Sequence, residues 1–399
     1  MQVLLNILLT VLVLGVIILI HEIGHYGAAK LFKMNAYQFN MGMGPILWKK
    51  QRKETQFALR LFPIGGSVLL GEDGLPDNAL EDENEDGENN ADKVKIRTPV
   101  YSDDPNDFTN RPVYQRIIVI GAGVFLNFVL GLILCMIINI MLVTDPDPQV
   151  GVATMTVSAF HPDATSNIGA SGLQVGDRIV EVNGTAIFSN TEIAYKMMNS
   201  PPKAGIPDYA VFEFVVKRDG KRVKLPNVTF AVVRGENGEI LTNELGGMRF
   251  VRDFYVLPVE NKPLPILEYS ARTAIGYGRI IWLTLTDMLR GNIGFNNVGG
   301  PVQIVSTVGE ITEQSVDFKE QLFGILSLSA LITMNLGIVN LLPIPALDGA
   351  RIIFLAIEGI RRKPLNREVE GTIHFIGFAL LMVLIVAVMF NDIARLFGG

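Results

Sequence analysis

The sequence predicts a polytopic α-helical membrane protein: four transmembrane helices, a membrane-associated β-hairpin loop and one small extracytoplasmic α+β domain. Three observations carry that expectation. The 399 residues are 49% hydrophobic and only 19% charged, with a mean hydropathy of +0.34, whereas soluble chains approach about a quarter charged. Four stretches each supply the roughly 17–25 apolar residues that cross a bilayer as helix. Between the second and third of them, short alternating runs punctuated by turn residues read as a folded soluble domain.

The first span runs from Val3 to Ile20, broken only by Asn6, Thr10 and Gly15. It has no basic n-region and no A-x-A site, so it reads as a retained helix rather than a signal peptide. The second, Ile117 to Val143, carries no charge. The third, Phe323 to Leu342, is uncharged but dotted with Ser327, Ser329, Thr333, Asn335 and Asn340. The fourth runs from Ile373 to Phe390. Lysines and arginines gather after span one (Lys30 to Arg60) and before span four (Arg351 to Arg367), while the N-terminus and Asp145-Pro146-Asp147-Pro148 have none. The positive-inside rule then puts both termini outside the cell and both basic loops in the cytosol. A net charge of −6 provides no footprint for nucleic acid. The single cysteine, Cys135, excludes an intrachain disulfide and any multi-cysteine zinc site.

Ala36 to Leu70 reads as strands, with a polar turn at Lys49–Glu54. So close to two spans, it is either a cytosolic cap or a loop dipping into a protein-lined cavity. Glu72 to Asp92 then holds ten acidic residues and no basic one, the composition of a solvated linker. From 150 to 257, Gly172-Leu173-Gln174-Val175-Gly176-Asp177-Arg178-Ile179 leads to Val182-Asn183-Gly184. A helix over Thr191–Asn199 follows, with Asn190 as N-cap, then a hairpin turning at Arg218-Asp219-Gly220-Lys221. This string and order of elements resemble a PDZ domain, whose ligands add as a strand at a sheet edge; Val150–Val157 is the expected edge. Leu264 to Arg290 has helical apolar spacing with charges among it, a helix lying on the outer membrane face, followed by an extended Val298-Gly299-Gly300-Pro301-Val302.

The chemistry resides in His21-Glu22-Ile23-Gly24-His25. On a helix, histidines at i and i+4 share a face and can hold one zinc ion, and the glutamate beside the first is placed to take a proton from the attacking water. Ionisable groups abutting a span are costly and usually functional. Such a zinc needs a third protein ligand. In Asn340-Leu341-Leu342-Pro343-Ile344-Pro345-Ala346-Leu347-Asp348-Gly349, two prolines break the helix, and irregular backbone at membrane depth must face protein or a watery cavity. Asp348 is therefore expected to face the bundle interior. For His161 and His374, surface or interface packing outweighs metal binding.

H-E-x-x-H closing span one, N-x-x-P-x-P-x-L-D-G after span three and a PDZ domain between them resemble the site-2 protease family of intramembrane zinc metalloproteases, most nearly its bacterial regulator-of-sigma-E protease branch. The resemblance covers nearly the entire chain. It implies His21, His25 and Asp348 as ligands of one Zn2+ per chain, Glu22 as general base, and Asn335 and Asn340 as residues that position substrate backbone. Met41-Gly42-Met43-Gly44-Pro45 and Phe62-Pro63-Ile64-Gly65-Gly66 look like the family's re-entrant β-loop. Ser67, where an aromatic is common, and Ala350-Arg351, where Gly-His is frequent, depart from it. The implied organisation is helix 1 over 1–30, a cytosolic loop over 31–112, helix 2 over 113–144, the PDZ domain over 150–257, a surface helix and linker over 264–316, helix 3 over 321–358 and helix 4 over 372–397. The implied setting is a bacterial cell membrane. The implied substrates are single-span membrane proteins or peptides, such as anti-sigma factors or remnant signal peptides, first trimmed outside by a site-1 protease. Two rivals are a transporter, for which the expected internal repeats are not seen, and a catalytically silent scaffold presenting a PDZ domain, which has no need of Glu22.

Overall fold

Hydropathy sets the longest elements. The computed structural model describes residues 2–70, 104–143, 153–169, 172–199, 209–235, 237–241, 249–291 and 299–398. In chain order its elements are α1 (Gln2–Leu31), β1 (Gln38–Arg52), β2 (Thr55–Leu69), α2 (Val113–Val143), β3 (Ala153–Phe160), β4 (Arg178–Val182), β5 (Thr185–Ala186), α3 (Asn190–Asn199), β6 (Tyr209–Arg218), β7 (Lys221–Ala231), β8 (Phe254–Pro258), α4 (Pro263–Leu289), α5 (Pro301–Gln314), α6 (Phe318–Leu341), α7 (Asp348–Arg361) and α8 (Arg367–Gly398). Among the described residues, four helices are long and apolar enough to cross a membrane: α1, α2, α6 and Val369–Ala394 of α8. The acidic run Glu72–Asp92 and the Asp145–Pro148 tether lie outside the described residues. The chain divides into two compact units.

The first unit comprises residues 1–130, 300–315 and 336–399. Here β1 and β2 form more than a simple hairpin. Gln38–Met41 is flanked on both sides by β2, pairing with Gly66–Leu69 and with Gln56–Leu59, while Trp48–Arg52 pairs with Thr55–Leu59. The polar turn expected over Lys49–Glu54 narrows to Lys53-Glu54, because a positive φ of 52° at Lys53 closes a two-residue loop and lets pairing continue through Arg52↔Thr55. Tyr26 of α1 meets Phe39 and Phe57 edge-on at 5.5 and 5.8 Å, which seats the sheet beside the histidines. Below it, Tyr37 and Asn35 both donate to Asp107; burial and that hydrogen bond push the Tyr37 phenol up to about 12.

The Val298–Val302 stretch expected as extended is corrected within its described part, and the 264–316 linker with it: Pro301 opens a second helix, α5. Proline at a first helical position loses no intrahelical bond, and the Asp392 carboxylate of α8 accepts the N–H groups of Gly300 and Gln303 at 3.0 and 3.2 Å. Helix α5 packs on α1, where Thr312 donates to Asn6. The 321–358 segment is two helices, α6 and α7, separated at the prolines. A partly buried ion pair between Arg116 and Glu358 ties α2 to α7.

The second unit comprises residues 131–299 and 316–335. Its sheet has the order β7-β6-β4-β3-β8, with β5 paired to β4, over a core that includes Phe212, Phe214, Phe230, Leu173 and Ile179. Asp177, in the Gly-Asp of the sequence motif, is gripped by Arg218 through two 2.7 Å bonds. Two expectations are corrected. β3 is not an edge, because β8 pairs along its outer side through Val157↔Val256 and Phe160↔Phe254; a long separation in sequence hid that partner. The cap of α3 is Ser189, not Asn190. Ser189 Oγ accepts the Glu192 N–H at 3.4 Å, and the Glu192 carboxylate accepts the Ser189 N–H at 3.0 Å, a reciprocal capping box. Glu192 also pairs with Arg279 of α4 at 2.6 Å, and Tyr195 bonds Thr284 at 2.8 Å, so α3 is docked on α4.

Candidate metal centre

His21 and His25 lie one turn apart on α1 with Glu22 beside the first, and all three are buried. Their orientation comes from α2, which presents Val119, Gly123 and Asn127 on one face at four-residue spacing. A Cβ on Gly123 would stand 2.9 Å from His21 Cε1 and closer still to His25; only a glycine lets α2 approach both rings. His25 Nδ1 donates to the Val119 carbonyl at 3.0 Å, and His21 Nδ1 lies 3.1 Å from the Asn127 side-chain amide, whose oxygen must face the ring for Nδ1–H to donate and leave Nε2 bare for a metal. With both Nδ1 atoms engaged, the two Nε2 atoms face one another at 3.1 Å. Outer hydrogen bonds of this kind set the tautomer and aim of metal-binding imidazoles.

Asp348 arrives from the far end of the chain. Pro343 and Pro345 end α6, and α7 begins at Asp348 itself, its Oδ2 lying 3.2 Å from His21 Nε2 and 3.3 Å from His25 Nε2. One donor atom from each residue falls within 4.8 Å of the others. Metal–ligand bonds of about 2.0–2.1 Å in a tetrahedron separate donor atoms by about 3.3 Å, so these spacings suit a single ion. The donor set, two imidazoles and a carboxylate, suits zinc.

Glu22 lies against the sheet: a Cβ on Gly66 would stand 2.7 Å from Glu22 Cγ. Gly66–Leu69 pairs on only one side among the described residues. Asn340 reaches the cluster, with Nδ2 3.3 Å from His21 Nε2. Asn335 is exposed on α6, and at about 100° per residue the two asparagines leave the helix about 140° apart. His161 stacks on Tyr255, and His374 meets Phe354 edge-on. Sequence patterning singles out neither Asn127 nor Gly123, and it marks Gly66 only as the end of the Phe62–Gly66 loop stretch. An asparagine in a charge-free span is the available signal for the first; nothing local marks Gly123.

The sequence profile of Peptidase family M50 matches residues 9–384. The chain is 28% identical to the regulator of sigma-W protease RasP of Bacillus subtilis, over 97% of this chain and 98% of that one. It is 30% identical to the zinc metalloprotease RasP of Shouchella clausii, with 97% and 98% covered, and 29% identical to the zinc metalloprotease RasP of Bacillus licheniformis, with 97% and 98% covered. Zinc is the cofactor these names carry and the ion the donor set suits. A match running from inside α1 to inside α8 takes in His21, His25 and Asp348 together, and on that ground the chain belongs to peptidase family M50, the site-2 zinc metalloproteases.

Proposed function

We propose that this chain hydrolyses peptide bonds within or near the transmembrane segments of single-span membrane proteins already trimmed outside the membrane. The observation that carries the reading is the convergence of His21, His25 and Asp348 beside Glu22. Those three would hold zinc through Nε2, Nε2 and Oδ2. When bound, zinc supplies Lewis acidity that polarises the scissile carbonyl and acidifies water. Glu22 accepts the proton of the attacking water and delivers it to the leaving amine. Asn340 donates its amide N–H toward the developing oxyanion, while the exposed Asn335 holds substrate backbone. A helical substrate hides its peptide bonds, so it must unwind, and the open side of Gly66–Leu69 can receive the unwound segment as an added strand.

The basic loops favour extracytoplasmic termini in a bacterial cell membrane, with the β3–β8 domain outside, read as a PDZ domain. There it serves as a filter against substrates with large outer domains, which makes a site-1 protease the upstream partner. The Bacillus subtilis relative is named for sigma-W regulation; the corresponding substrate here is a membrane-bound regulator of a sigma factor. The test is cleavage of a transmembrane peptide by the zinc-loaded full chain, with Glu22→Gln used to trap substrates for mass spectrometry. Zinc binding without cleavage would return the chain to a scaffold role.

A further inference from the structure

His374 stands in α8 and takes no part in the chemistry above, yet it reaches both sides of Asp348. Its Nδ1 accepts the Ala346 N–H at 2.9 Å, and its ring meets Phe354 of α7 edge-on at 5.4 Å. Ala346 has a φ of +78°, the left-handed region that disfavours a residue with a Cβ. Within the bend, Ile344 and Leu347 donate to local carbonyls, and Pro343 and Pro345 have no N–H to give. The strained residue is instead held by a bond to another helix. One turn along α8, Gly377 gives Pro345 its seat, since a Cβ there would stand 2.6 Å from the Pro345 carbonyl oxygen.

We infer that His374 is a positioning residue for Asp348: by accepting the Ala346 N–H it holds the left-handed kink that aims the carboxylate at His21 and His25. This rests on the reading of Asp348 as a zinc ligand. For Nδ1 to accept, the ring proton sits on Nε2. An asparagine at 374 places Oδ1 where Nδ1 stands and preserves the bond, whereas a glutamine places its amide near Nε2 and does not.

The test measures zinc retained by the purified full-length chain against a competing chelator. His374→Leu is expected to lose zinc about tenfold more readily, the usual scale for losing a group that orients a ligand. His374→Asn stays near wild type and His374→Gln resembles His374→Leu. Adding Ala346→Gly to His374→Leu recovers retention, because glycine adopts the kink without strain. Wild-type retention in His374→Leu, equal behaviour of the Asn and Gln variants, or no recovery with Ala346→Gly overturns the inference. If His374→Leu does not fold, the Asn and Gln pair decides. Asp348→Asn is the control. Full zinc there removes the reading of Asp348 and this inference with it, whereas loss there beside wild-type retention in His374→Leu overturns the inference alone.

Discussion

Gly66 lies directly against Glu22, so closely that a Cβ built on the glycine would stand 2.7 Å from Glu22 Cγ and 3.1 Å from its Oε1. The open strand segment and the proposed base thus share one wall. Gly66→Ala is expected to displace the carboxylate while leaving His21, His25 and Asp348 in place. Displacements near 1 Å cost roughly a hundredfold in rate, so peptide cleavage should fall by about that factor with zinc content unchanged. Parallel metal analysis and turnover decide it, and unchanged turnover would separate the strand from the chemistry.

Glu22→Gln preserves the size of the side chain and removes its ability to take a proton. Zinc and fold should remain, and turnover should drop by about a thousandfold, within the range ascribed to a positioned acid–base group. Residual cleavage close to wild type would sink the assignment of Glu22.

Asp348→Asn exchanges an anionic oxygen donor for a neutral amide, a poorer ligand for a dication. The expected outcome is a fall in both zinc stoichiometry and activity, read by metal analysis of the purified chain. Stoichiometric zinc would send the search for the third ligand elsewhere.

Arg279→Ala tests the docking of α3 on α4. The Glu192 side chain is 0% exposed and loses its cation, whereas Arg279 is itself 35% exposed. The loss should therefore fall below the full penalty for orphaning a buried charge, at about 2 kcal/mol. It is read as faster limited proteolysis within 153–258 in the intact chain, with zinc content unaffected. An unchanged digestion pattern would mean that Tyr195–Thr284 and the apolar contacts suffice.

Much of this protein is local and was legible without a fold. The spans follow from runs of apolar residues that must satisfy their backbone as helix in a bilayer. His21, Glu22 and His25 share a face because four residues make one turn. Pro343 and Pro345 announce a break just before Asp348, since neither can continue a helix. Two of the expectations that failed needed a partner distant in sequence, whereas the α3 cap turned on Ser189 and Glu192, three residues apart. By sequence alone Val157 reads as an edge residue, because its pairing partner Val256 lies far along the chain. Local sequence does not mark the helix at Pro301, because Asp392, which accepts the Gly300 and Gln303 N–H groups at its start, belongs to α8.

The sequence by itself pointed to the residues of the proposed chemistry and to the segments long and apolar enough to cross a membrane as helices. Only the tertiary structure decided their mutual aim. Gly123 has no side chain because two imidazoles occupy that space. His25 presents Nε2 because Val119 accepts its Nδ1–H. Asp348 meets both rings from a bend whose strained residue is bonded to His374. Periodicity encodes what a segment does with its own backbone. The approach of one helix to another depends on volumes and hydrogen-bond directions contributed by both, and no single segment records them.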